Sequence, residues 1–228
     1  MQQLLQKIEI TEVCMKKLNR KKAFTLAETL LTLAIVGVVA ALTVPTLKQS
    51  SDEATHVAAV KKAYAIAKEA TTNLEQKEGD LSTWPWNNTT QMNKLYQSVM
   101  TTIGGDAWKA YQTFQLDGTH WSYIGPDSFF MTSDGMTWYV YNWNAGAKYG
   151  SGATVYGVIH VDTNGPKEPN TLGVDVHAFT VSSDGVNPMG DGLHDQNSTW
   201  ACTNYAIMHS KMPWLKGGAA NCYSYYKG

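Results

Sequence analysis

The stretch that decides the fold is KKAFTLAETLLTLAIVGVVAALTVPTL, residues 21–47. From Phe24 to Leu47 its only ionisable side chain is Glu28. Twenty-four residues at ~1.5 Å each span ~36 Å as a helix, more than a bilayer core of ~30 Å. Basic residues crowd the N-terminal side. Residues 1–23 hold six (Lys7, Lys16, Lys17, Arg20, Lys21, Lys22) against two acids, Glu9 and Glu12. That is +4 for the first segment. From totals of 18 basic and 19 acidic residues it leaves 12 and 17, or −5, for the rest of the chain. Positive charge next to an apolar span keeps that end in the cytoplasm.

A secretory signal peptide is the plainer reading. The run exceeds a signal core of ~7–15 residues. It also carries an acid near its start and continues into further helical sequence. Over Lys48 to Glu78, the residues Val57, Val60, Tyr64, Ala67, Thr71 and Leu74 recur every three or four positions, one stripe of an amphipathic helix. Gly79 supplies a stop. Phe24 to Glu78 is therefore expected to form one helix of ~55 residues. Pro45 is expected to kink it, since proline removes a backbone donor and crowds the preceding turn.

Beyond Gly79 the texture changes. The chain as a whole has 228 residues, 43% hydrophobic and 16% charged, with eight Trp and twelve Tyr, which excludes a disordered protein. A net charge of −1 gives no basic field for nucleic acid, and the −5 segment argues further against such a partner. Ser128–Ser133 and Met136–Trp143 flank Asp134-Gly135, a hairpin signal. Val155–Asp162 and Val174–Ser182 read as further strands, the last closed by Asp184-Gly185. The expected fold class is α+β, with the long helix packed on a small antiparallel meander of about four strands whose other face is polar. Trp84–Gln112 reads as a connector with a short helix at Gln91–Met100. Asp184 to Gly190 reads as turns.

Lys21-Lys22-Ala23 followed by Phe24-Thr25-Leu26-Ala27-Glu28 and an apolar helix resembles the N-terminus of type IV prepilins and type II secretion pseudopilins. The resemblance implies a pilin-like fold and cleavage between Ala23 and Phe24, with Ala23 standing where the family usually has Gly. It implies N-methylation of Phe24 by the same prepilin peptidase. Glu28 is the fifth residue after the cut, and Pro45 the twenty-second, where many members bend the helix. The implied organisation is a leader (1–23), a transmembrane and polymerisation helix (24–47), an amphipathic helix (48–79) and an exported sheet domain (80–228). A nine-residue leader starting at Met15 would match the short leaders common in the family, and a longer leader also occurs there. Cys14 leaves with either one.

The implied function is a structural subunit of a type II secretion pseudopilus or type IV pilus. Its partners would be other copies or mixed pseudopilins, the peptidase and an inner-membrane assembly platform. It would sit single-pass in the cytoplasmic membrane, its C-terminal domain exported to the periplasm or cell surface, and then in the fibre. An acid in hydrocarbon needs a partner. In such a fibre Glu28 neutralises the new amine of a neighbouring subunit; the alternative is an interfacial Glu28 facing water.

Cys202 and Cys222 remain in the exported part, where disulfides persist. They either bridge, stapling the C-terminal loop as in many pilins, or stay as free thiols. Val161–Phe179 carries Asp-x-Asn-Gly, then Pro-Asn, Gly and Asp. Asp162, Asn164 and Asp175 are candidate oxygen ligands for a structural Ca²⁺, which the major pseudopilins carry in C-terminal loops. The plainer reading is Asx turns that reverse the chain at Asn164-Gly165. Asp191, His194 and Asp195 are more remote candidates. No paired zinc spacing, nucleophile elbow, P-loop or dinucleotide fingerprint is present, so no catalytic residue is assigned. The Trp residues are expected mainly in the core, with Trp84-Pro85-Trp86 as the exposed exception. The rival function is a membrane-tethered, Ca²⁺-dependent adhesin or glycan-binding protein that does not polymerise; exoprotein contact belongs to the secretion reading.

Overall fold

The structure is a computed structural model. It describes residues 24–103, 111–124, 129–143, 145–148, 152–190, 200–217, 222 and 225. Met15, Cys14 and Ala23 of the expected leader, together with Asp191, His194 and Asp195, lie outside the described residues.

Helix α1 runs Leu26–Glu78 and passes through Pro45 without a break in its assignment. It starts at Leu26 rather than Phe24 because Thr25 acts as its N-cap: the Thr25 carbonyl accepts the first helical bond, from Thr29 N at 3.1 Å. The chain divides into two units, the first ending at Leu47 and the second running from Lys48 to Gly228.

The described part of the first unit is helical from Leu26. Its threonines turn their hydroxyls back on the helix: Thr29 donates to Leu26 O, Thr32 to Thr29 O and Thr43 to Val39 O, at 2.8–2.9 Å. A hydroxyl satisfied in this way can enter an apolar medium without an unpaired donor.

The second unit is built on a six-stranded antiparallel sheet in the order β1-β4-β5-β6-β7-β8. The strands are β1 (Thr102–Ile103), β4 (Phe130–Thr132), β5 (Thr137–Tyr141), β6 (Val155–Asp162), β7 (Val176–Ser182) and β8 (Gly185–Pro188). A separate hairpin pairs β2 (Tyr111–Phe114) with β3 (His120–Ile124). Val57, Val60, Ala63, Ala67, Ala70 and Leu74 of α1 are buried in one core with Trp138, Val140, Ile159, Val161, Phe179 and Val181. The amphipathic stripe of the sequence thus faces the sheet. Tyr64 is its partly exposed edge, with its ring 5.5 Å from Phe179 and its hydroxyl donating to Val186 O.

Three expectations are corrected. The sheet has six strands rather than about four, because β1 is only two residues long and β8 occupies the Gly185–Pro188 segment expected to be turns, pairing back on β7. Its second face is a second core and not a polar surface. Val158, Val176 and Ala178 of that face are buried with Leu172, Met189 and Trp200, and Trp121 of β3 packs against them. Trp84 and Trp86 are buried rather than exposed. They stack at 5.9 Å, and their indole N–H groups donate to Gly79 O and Leu81 O just after α1 ends.

Helix α2 spans Thr89–Gln97, two residues before the expected start, because Asn88 caps it by accepting from Gln91 N. Helix α3 spans Ala201–His209 and was not anticipated.

Candidate functional site

The first candidate site is the start of α1. Thr25 N donates to Glu28 Oε2 at 2.8 Å, Thr25 Oγ1 donates to the same oxygen at 3.0 Å, and Glu28 N donates to Thr25 Oγ1 at 3.2 Å. This is a capping box: each residue satisfies the other's otherwise unpaired backbone N–H. It occupies Oε2 and leaves Oε1 outside these bonds. Besides Phe24, eleven large apolar side chains of the helix, from Leu26 through Val39 to Leu47, are each between 53% and 79% exposed. At 100° per residue they point to every side of the helix. Burying one such side chain is worth about 1.5–3 kcal/mol, so this surface requires an apolar surrounding on all sides. Among the described residues, α1 is the only helix long and apolar enough to cross a bilayer.

The second site lies at the end of β6. The structure brings Asp162, Asn164 and Asp175 together, and both carboxylates are buried. Asp162 Oδ1 accepts from Asn164 N, and Asp162 Oδ2 accepts from the Tyr111 hydroxyl. Asp175 Oδ1 accepts from Thr171 N; its Oδ2 accepts from Asn170 N and Asn164 Nδ2. With its amide oriented to satisfy its neighbours, Asn170 Nδ2 donates to Lys167 O, Gly165 O and Asp162 Oδ2. Each asparagine therefore ties one aspartate to the other. Gly165 turns the chain at φ 67°, and a Cβ there would lie 2.7 Å from Gly135 O.

This donor set bears on the Ca²⁺ expectation. All four carboxylate oxygens already accept hydrogen bonds, and the Asn170 amide stands where three oxygens converge. Among the described residues, Asn164 Oδ1 is buried without a hydrogen-bond partner. Among the described residues, no three His, Cys, Asp or Glu side chains gather as a metal cluster. These bonds tie Asp162, Asn164, Asn170 and Asp175 into a hydrogen-bonded knot. Burial and the neighbouring Asp175 push Asp162 up to about 8, and burial pushes Asp175 up as well.

The third site is the C-terminal segment. Cys202, in the first turn of α3, is joined to Cys222 by a disulfide with a Cα–Cα distance of 5.0 Å. Trp214 Nε1 donates to Gly173 O, and Met212 N donates to Glu53 Oε1 of α1. The loop is thus fixed to both the knot and the helix.

Residues 18–44 match the model of the prokaryotic N-terminal methylation motif. The chain carries the type IV pilin and pseudopilin prepilin-type signature. The prepilin-type motif takes in the capping box, Glu28 and most of the apolar helix. No characterised protein and no solved structure gave a significant match. The α+β fold, a long N-terminal helix with an antiparallel sheet, is consistent with a pilin-like architecture. Sequence reasoning missed the capping box, although Thr25-Leu26-Ala27-Glu28 is its T-x-x-E pattern. It also missed Asn170 and Tyr111 as partners of the aspartates.

Proposed function

We propose that this protein is a structural subunit of a type IV pilus or a type II secretion pseudopilus. A prepilin peptidase removes the leader between Ala23 and Phe24 and methylates the Phe24 amine. The helix from Phe24 to Leu47 anchors the subunit in the cytoplasmic membrane, with the sheet domain exported, until the subunit enters the fibre.

One observation carries this reading: eleven large apolar side chains from Leu26 to Leu47 are exposed around the whole circumference of α1. Lipid satisfies them before assembly, and neighbouring copies of the same helix satisfy them afterwards. Glu28 is the one charge in the span, and its free Oε1 meets the Phe24 amine of a neighbour. The burial of Trp84 and Trp86 withdraws the exposed aromatic pair on which the glycan-binding alternative drew. Glu28→Ala is expected to insert in the membrane and lose its leader, though more slowly, yet give few or no fibres by shearing and electron microscopy. Wild-type fibre yield from that variant would refute the assignment of Glu28.

A further inference from the structure

Leader removal requires a peptidase to reach the bond between Ala23 and Phe24. A peptide bond inside a helix has to be opened before a protease can bind it extended, so cleavage follows the population of the open form. The sequence before the cut supplies no helix breaker: residues 1–23 contain neither Gly nor Pro, and Arg20, Lys21, Lys22 and Ala23 are all strong helix formers. The stop has to come from the other side of the bond. Thr25 and Glu28 provide it. Their reciprocal bonds fix the first helical residue at Leu26 and leave Phe24 and Thr25 outside the helix.

We propose that the Thr25–Glu28 capping box is a positioning device for leader removal, holding the start of α1 just beyond the bond that is cut. The inference rests on the processing reading above. In the step it serves, water adds its hydroxyl to the Ala23 carbonyl carbon, the C–N bond to Phe24 breaks, and the nitrogen takes up protons to leave as the Phe24 ammonium. Thr25 takes no part in that chemistry and acts only by setting where the helix begins. Glu28 then has two successive roles, capping its own helix through Oε2 before assembly and meeting a neighbour's amine in the fibre.

The test separates capping from side-chain shape. Full-length precursor in detergent is incubated with a prepilin peptidase, and kcat and KM for leader release are measured. Thr25→Ser and Thr25→Asn keep a capping oxygen, and Glu28→Gln keeps an acceptor for Thr25 N; these should stay within about twofold of wild type. Thr25→Val has nearly the shape of threonine but cannot cap, and Thr25→Ala neither caps nor stops a helix. Both should lose about fivefold in kcat/KM, the factor corresponding to a typical N-cap. Wild-type rates for Val and Ala would overturn the proposal. So would an order that follows shape, with Val fast and Asn slow. A wild-type chain left uncut at Ala23–Phe24 would overturn the processing reading itself, and this inference with it.

Discussion

Asn93 in α2 takes the place of a missing strand at Val140: its Nδ2 donates to Val140 O and its Oδ1 accepts from Val140 N, both at 3.0 Å. Among the described residues, the neighbouring strand β4 pairs with β5 only as far as Trp138, which leaves the far half of that edge of β5 without a strand. An unpaired edge invites pairing with another chain, and one amide side chain closes it here. Asn93→Leu leaves both Val140 groups buried and unpaired. It should cost about 2–4 kcal/mol, seen as a lower thermal midpoint of the detergent-solubilised chain. A midpoint unchanged within error would show that water replaces the amide without loss.

Gly157 is the second sensitive point. A Cβ there would lie 2.5 Å from the Trp86 ring and 2.7 Å from Tyr141 O. The register of β6 against β7 shifts at this position, between Val155 and Gly157. Trp86 therefore lies flat on bare backbone. Gly157→Ala should destabilise by about 1–3 kcal/mol, the ordinary cost of overpacking, and shift the Trp fluorescence emission. Native emission and an unchanged midpoint would contradict the packing described.

The Asp162–Asp175 knot makes a prediction about metal. Because N–H and O–H donors already engage all four carboxylate oxygens, millimolar Ca²⁺ or a chelator should move the thermal midpoint by less than about 1 °C. Asp175→Ala, which strands Asn170 N and Thr171 N, should cost about 2–4 kcal/mol. A saturable rise of several degrees with Ca²⁺, absent in Asp162→Asn, would restore the cation reading.

The Cys202–Cys222 bond closes a loop with a sequence separation of 20. Reduction, or replacement of both cysteines by serine, should lower stability by about 3 kcal/mol in the chain-entropy model. The far-UV spectrum should keep its helical character, since neither cysteine lies in α1. Equal denaturation midpoints with and without reductant would contradict a stabilising staple.

The helix was legible because its two signals are periodic and local: the uninterrupted apolar run to Leu47, and the stripe from Val57 to Leu74. The central strands β5, β6 and β7 were legible from β-branched and aromatic runs bounded by Asp-Gly and Asn-Gly turns. What was not legible depends on distant pairing. Thr102 and Ile103 form a strand only because Thr132 and Met131 lie opposite. The outer face of the sheet was expected to be polar because an antiparallel sheet can pack one face on the helix and leave the other to water. It is buried because Leu172, Met189, Trp121 and Trp200 reach it from elsewhere in the chain. Trp84 and Trp86 are adjacent to a proline that favours an extended chain, but burial is decided by the surface at Gly157 and Tyr96 that they meet. At the candidate site, Glu28 stood out as a lone acid, whereas its bond to Thr25 needed the capping pattern to be read across the expected helix start.

The central claim is tested most directly by the intact mass and N-terminal fragmentation of the chain recovered from a membrane that contains prepilin peptidase. The account predicts a mature chain that begins at an N-methylated Phe24. A chain that retains its leader, or one cut downstream inside the apolar segment as a signal peptide would be, would contradict it.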